Sequence, residues 1–321
     1  KLPIPDFIKK YDAWIMGIGF ISILFLEEYT HMSASVSKTA FLIFSILFAA
    51  IIVDFIFEKS AWCRHLCPLG GMIGLFSMSS LIEIRANRNV CNTICTTHDC
   101  FKGSGKAGPC PMFLHLSFLS DNRDCKVCLN CIKNCTHLAT RLNLRIPGAE
   151  ISSLKQPSLP GAIFSIILAG LLAAEIVSRT NIIQANYLFI FSTSILLALA
   201  LSLTINYITA LILKKTVTEY LKSFSYAIIP LILFGFISHY SADVFGNVKG
   251  TLMIFNAYEL NLNFTTTFQL LTVLTGLLIT IYLINRIILN IIPKNRQFQI
   301  FAIQGIVPLV LSIAYITLFF A

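Results

Sequence analysis

The chain has 321 residues, of which 56% are hydrophobic and only 12% charged, at a mean hydropathy of +0.78. A soluble domain carries roughly 25% charged residues, so the composition excludes an ordinary soluble globular protein and points to a polytopic α-helical membrane protein. The formal net charge is +9, and the distribution of its lysines and arginines explains that balance without nucleic acid as a partner.

A bilayer core needs about 20 apolar residues per helix. Seven stretches qualify or nearly do: 13–27, 39–57, 161–178, 186–213, 223–241, 264–284 and 298–321. They predict about seven transmembrane helices. The first is short. The stretch 62–82 is also apolar but holds Arg64, His65, Pro68 and the pair Gly70-Gly71, so it reads as an interfacial or re-entrant piece. With the N-terminus on the cytoplasmic side, all but three of the 24 Lys and Arg fall inside; Lys38, Arg179 and Lys249 are left outside. Basic residues concentrate in the inner loops of membrane proteins. The expected topology therefore puts the cysteine-rich segment in the cytoplasm and the C-terminus outside, in a bacterial-type inner membrane.

Ionisable residues inside spans are functional candidates. Asp54 and Glu58 near the inner end of the second span read as interfacial carboxylates or as proton acceptors beside a quinone. Glu175 near the outer end of the third span reads as a functional carboxylate or as the partner of Arg179 one turn away. His31 and His239 are expected on the outer side, which leaves haem open as a cofactor. The loop 243–263, long and mostly neutral, is a candidate docking site for an outer partner.

Eight of the ten cysteines lie between Cys91 and Cys135. Cys125, Cys128, Cys131 and Cys135 follow the C-x2-C-x2-C-x3-C spacing with which bacterial ferredoxins hold 4Fe-4S clusters. Cys91, Cys95, Cys100 and Cys110 form a looser first group. In two-cluster ferredoxins the fourth cysteine of each run serves the other cluster. The expected ligand sets are therefore Cys91, Cys95, Cys100 and Cys135 for cluster one, and Cys110, Cys125, Cys128 and Cys131 for cluster two. Zinc sites pair C-x2-4-C units or mix in histidine, and disulfides need an oxidising compartment; neither fits as well. Lys126, Lys133, Arg123 and Arg141 nearby would raise cluster potentials and could dock an acidic partner, or form a solvated basic face that follows the positive-inside bias. The expected organisation is a transmembrane hairpin with its interfacial segment over 1–84, an inserted two-cluster ferredoxin-like α+β module over 85–150, and a five-helix transmembrane domain over 151–321.

Cys63 and Cys67 stand apart, four residues from each other, in Trp62-Cys63-Arg64-His65-Leu66-Cys67-Pro68-Leu69-Gly70. They face one way on a helical turn and read as a redox or metal pair. This motif after a membrane span, followed by a two-cluster module, resembles the membrane-bound polyferredoxin family. That family includes quinol-dehydrogenase subunits of periplasmic nitrate reductase systems, a nitrous-oxide-reductase maturation protein and a cytochrome-oxidase assembly reductase. The resemblance covers about 40–150. It implies an electron-transfer subunit of a quinol-linked oxidoreductase, working in a hetero-oligomeric complex with redox partners in the membrane or the cytoplasm. The alternative it leaves is a maturation factor that uses the clusters to reduce or deliver a metal such as copper. In the family the Cys-x3-Cys-Pro motif usually occurs twice; here one copy is present. No G-x-G-x-x-G fingerprint speaks for a nicotinamide site.

Overall fold

The computed structural model describes residues 1–320 apart from 31, 33–34, 59, 155–156, 181–185 and 255–261, and side chains at 28, 179–180, 246–254, 262–263 and 318–320 are likewise left aside. The protein is mostly helical and divides into two compact units, Lys1–Lys155 and Gln156–Ala321.

The first unit opens with α1 (Asp6–Tyr29) and α2 (Val36–Ile56). Apolar residues surround α2 on every side and none of them is buried, as suits a helix whose whole surface meets lipid. Its C-terminal end is tied down by Asp54, which accepts the backbone N–H of Trp62 at 3.1 Å. That carboxylate thus caps the following turn. The turn Trp62–Leu66 is π-helical, closed by Cys67 N–H donating to Trp62 C=O at 2.8 Å. It leads into α3 (Pro68–Ser77), with Pro68 at a first position where no N–H is needed.

β1 (Ile82–Ala86) and β2 (Thr140–Leu144) then pair antiparallel, Ile82 opposite Leu144 and Ala86 opposite Thr140. This two-stranded sheet brackets all eight clustered cysteines, and β1 crosses the boundary expected at 84/85. Between the strands lie only short helices, α4 (Arg88–Thr93), α5 (Asp99–Lys102) and α6 (Asn130–Asn134), and α7 (Ala149–Ser152) follows. So small a body needs polar fastening. Glu150, almost wholly buried, receives the Arg145 guanidinium and the backbone N–H of Asn122, with Arg85 3.6 Å away. Arg145 also reaches Glu83 at 3.3 Å and the carbonyls of Ser77 and Ser80. Asn122 in turn accepts the N–H of Ile84 at 3.2 Å. One carboxylate thereby joins β1, β2 and the turn that leads into Cys125.

The second unit holds α8 (Leu159–Thr180), α9 (Tyr187–Leu213), α10 (Val217–Phe224), α11 (Ile229–Ile254), α12 (Leu262–Ile291) and α13 (Gln297–Phe320). Its core gathers Leu172, Ile176, Leu231, Val273 and Tyr315. Helices in lipid associate by close packing and interhelical hydrogen bonds, and both are present. A Cβ on Gly170 would sit 2.7 Å from the Ile195 Cα, so α8 and α9 cross nearly in backbone contact. Gln304 donates to Thr209 at 2.9 Å and to Asn206 at 3.3 Å, and Tyr315 donates to the Ala169 carbonyl at 3.0 Å.

Among the described residues, six helices are long and apolar enough to cross a membrane: Val36–Ile56, Leu159–Ser178, Tyr187–Leu213, Val217–Phe245, Phe264–Ile291 and Lys294–Thr317. The expected span 13–27 lies within α1, which carries Asp6, Lys9, Lys10, Asp12, Glu27 and Glu28 at its two ends and falls outside this set. Two expectations need correction. The loop placed at 243–263 is helical as far as Ile254, because only isolated glycines and no proline fall between 243 and 254; α12 begins at Leu262, and 255–261 lie outside the described residues. His239 for the same reason does not end a span. It is buried within α11 and meets Tyr240 edge-on at 4.9 Å.

Candidate iron–sulfur centres

The eight cysteines gather in two fours. One cavity, about 300 Å³ with its mouth included, is lined by Cys91, Cys95, Cys100 and Cys135; another, about 390 Å³, is lined by Cys110, Cys125, Cys128 and Cys131. Electrostatics repeat the grouping. The thiols that act on Cys100 are those of Cys91, Cys135 and Cys95, and those that act on Cys131 belong to Cys125, Cys128 and Cys110. Burial first, then these neighbours, push Cys100 up to about 11 and Cys131 up to about 12. Four thiols so placed cannot ionise together unless positive charge is supplied between them. A centre of several irons supplies it, and the donor set therefore fits a 4Fe-4S cluster in each cavity. Among the described residues no three His, Cys, Asp or Glu side chains converge as a single-ion site would require.

The backbone is bent to suit the sulfurs. His98, Phe113, Val127, Leu129 and Leu138 all have positive φ without being glycine, a strain that concentrates at functional sites. Leu114 N–H donates to Cys110 Sγ at 3.4 Å and Ala139 N–H to Cys135 Sγ at 3.2 Å. Burial alone would raise the Cys135 thiol, but amides of Ala139, His137 and Thr140 outweigh it and bring the thiol below its usual range. Such donors stabilise thiolate charge and tune a bound cluster.

The cavities differ in their walls. Besides its cysteines, the second is lined by Ile84, Pro111, Met112, Leu114 and Leu116, of which Ile84, Met112 and Leu116 are buried, and by Lys126 and Asn130. Besides its cysteines and Ala139, the first is bordered by Thr97, Asp99, Asn134, Thr136, His137 and Thr140, with one carboxylate among them. Asn134, itself buried, accepts from Ser104 at 2.7 Å and donates to the Gly108 carbonyl at 3.0 Å, which pins the glycine-rich loop.

Cys63 is exposed and Cys67 half-buried. Cys67 opens α3, and its Sγ accepts the N–H of Gly70 at 3.4 Å. Gly70 is required there, since a Cβ would lie 2.9 Å from the Cys63 carbonyl. Asp12 of α1 holds His65 Nδ1 at 2.9 Å. This turn abuts the second cavity's loops: Ser60 Oγ lies 3.5 Å from the Pro111 carbonyl, and Asp124, next to Cys125, feels both Arg64 and His65.

Of the other sequence candidates, Glu175 is buried and accepts from the Tyr187 hydroxyl at 3.4 Å; the side chain of Arg179 and all of His31 lie outside the described residues. Sequence reasoning missed Glu150 and Asn134, whose types carry no iron–sulfur signal. It also missed the Asp12–His65 contact, which joins residues 53 apart in the chain.

Apolar membrane helices joined to paired four-thiol cavities define a class, the membrane-bound iron–sulfur proteins. Residues 39–85 match the family described as a 4Fe-4S binding domain (Fer4_5). The chain is similar to the electron transport protein YccM of Escherichia coli, 29% identical over 161 residues, covering 49% of this chain and 39% of the relative. It is similar to the ferredoxin-type protein NapH of Haemophilus influenzae, 29% identical over 105 residues, covering 31% of this chain and 36% of the relative. It is also similar to the methylamine utilization ferredoxin-type protein MauN of Paracoccus denitrificans, 32% identical over 75 residues, covering 23% of this chain and 26% of the relative. The relatives it resembles are thus named as an electron transport protein and as ferredoxin-type proteins. The chain matches well under half the length of these curated relatives. No solved structure matches it. The 4Fe-4S match includes Cys63 and Cys67 and ends before Cys91.

Proposed function

We propose that the chain is an electron-transfer subunit of a quinol-linked respiratory assembly, with two 4Fe-4S clusters between a quinone or membrane redox partner and a protein partner. The observation that carries this is the pair of cavities, each bordered by four cysteine thiols. When bound, such clusters pass one electron at a time. The chain's own part is to hold and tune them. Cys91, Cys95, Cys100 and Cys135 ligate one, and Cys110, Cys125, Cys128 and Cys131 the other. Leu114 and Ala139 amides damp the thiolate charge, while buried Ile84, Met112 and Leu116 form an apolar part of the second cavity's wall. Cys63 and Cys67 stand beside the second cavity, where electrons would cross between the membrane side and the clusters. Their place inside the 4Fe-4S match favours an iron–sulfur or redox role over copper delivery. The basic residues support a cytoplasmic placement of the clusters in an inner membrane.

Oxidised and reduced optical and EPR spectra of the purified protein test this reading. Two interacting 4Fe-4S signals that a quinol analogue reduces in membranes are expected. Clusters that no quinol reduces would remove the quinone link, and absence of clusters would remove the function.

A further inference from the structure

Beside the first cavity the surface opens into a groove lined by Arg85, Asn87, His137, Leu138, Arg141 and Asn143, among others, with no carboxylate among its lining residues. Arg85 and Arg141 lie directly opposite each other in the antiparallel register. Like charges so paired destabilise a sheet. Arg85 is answered by Glu83 at 3.2 Å and by Glu150 at 3.6 Å. Arg141 is exposed and, among the described residues, pairs with no carboxylate. The groove and the first cavity share His137 and Ala139 as a common wall. Leu138, between those two, is 79% exposed and has φ of +50°. The turn that brings the Ala139 amide to Cys135 thus also holds an apolar side chain out into solvent. Arginine around a protruding apolar residue is the chemistry of a protein contact.

The opposite end of the path is occupied differently. The Cys63–Cys67 turn borders the loops of the second cavity, through Ser60 and Pro111 and through Arg64 and Asp124. Each cavity therefore has its own neighbour: the second has the turn that follows a membrane span, the first has the basic groove.

We infer that the groove walled by Arg85, Arg141, His137 and Leu138 is where the first-cavity cluster exchanges electrons with a soluble carrier that presents acidic side chains, an inference that rests on the two-cluster reading. Charge complementarity selects the partner: a face of carboxylates answers Arg141 and an apolar spot covers Leu138. One electron crosses per encounter, with no bond made or broken.

The test uses the full-length holoprotein in detergent at about 0.1 M salt, where charges more than about 10 Å apart are largely screened, reduced with dithionite and freed of excess reductant. It is mixed rapidly with ferricyanide, an anion, or with tris(phenanthroline)cobalt(III), a cation, each of which takes one electron from a reduced cluster. Arg141→Glu and Leu138→Asp are expected to slow oxidation by ferricyanide about tenfold and to speed oxidation by the cobalt complex, as charge at a contact site changes encounter rates. Lys106→Glu, an exposed lysine of the same module outside the groove, is expected to change either rate by less than about twofold. Aspartate tolerates positive φ, so Leu138→Asp keeps the test open if Arg141→Glu folds poorly. Equal rates in all variants with both EPR signals intact would overturn the groove and leave the clusters standing. Loss of the signals in the unaltered protein would overturn the cluster reading instead.

Discussion

Cys110 and Cys135 sit in turns of the same construction. Each Sγ accepts the N–H of the residue four positions on, Leu114 in one case and Ala139 in the other. Each turn passes through a residue of positive φ three positions on, Phe113 and Leu138. Pro111 follows the first cysteine and Thr136 the second, so proline does not set the turn. Each of these two cysteines borders the cavity whose other three thiols come from the opposite run. Serine substitutions should therefore cross over. Cys110→Ser is expected to remove the same EPR signal as Cys125→Ser, and Cys135→Ser the same one as Cys91→Ser. Pairing of Cys110→Ser with Cys91→Ser would contradict the assignment.

The contrast between the cavity walls predicts two unequal potentials. Reduction adds negative charge, which Lys126 in the second cavity's wall favours and Asp99 in the first cavity's wall opposes. The second-cavity cluster is expected to have the higher potential. Redox titration followed by EPR in Cys131→Ser and Cys135→Ser, each retaining one cluster, assigns the two values.

Glu150 should matter far more than its distance from any cysteine suggests. Its carboxylate is buried and meets Arg145 and the Asn122 amide. Removing one partner of a buried ion pair costs about 3–5 kcal/mol because the remaining charge is stranded. Glu150→Ala is expected to lower cluster content per purified chain severalfold, measured as absorbance of the bound clusters. Glu150→Gln, which keeps an acceptor for Asn122, should lose less.

Much of this architecture was legible in the sequence because its signals are local. Spans are runs of apolar residues, and C-x2-C-x2-C-x3-C is a backbone geometry written as spacing. The same two fours of cysteines that spacing suggests border the two cavities. What was not legible depends on pairing across the chain. Arg145 and Glu150 look like ordinary surface charges until β1 and β2 meet. Asp12 looks like an interfacial acid until α1 packs beside His65. The end of α11 is not where the sequence suggests because polar residues such as His239 and Asp243 suggest a loop, whereas the helix buries His239 and turns Asp243 to its exposed side.

The raised thiols predict how the cluster-free protein responds to alkali. Cys100 near 11 and Cys131 near 12 stay protonated in the fold above the ordinary thiol range, chiefly through burial. The folded state then holds protons that the unfolded chain has released, so its stability falls as pH rises above about 9. Thermal unfolding of the cluster-free protein is expected at lower temperature at pH 10 than at pH 8. Cluster-bound protein, whose thiolates are already ionised, should show a much smaller change over that interval.

The account stands most directly on the number of clusters. Iron and acid-labile sulfide, measured per chain on the anaerobically purified protein alongside EPR spin counting, decide it. Two 4Fe-4S centres require about eight iron and eight sulfide, with two spins on full reduction. Four or fewer irons, or a spectrum without 4Fe-4S character, would contradict it.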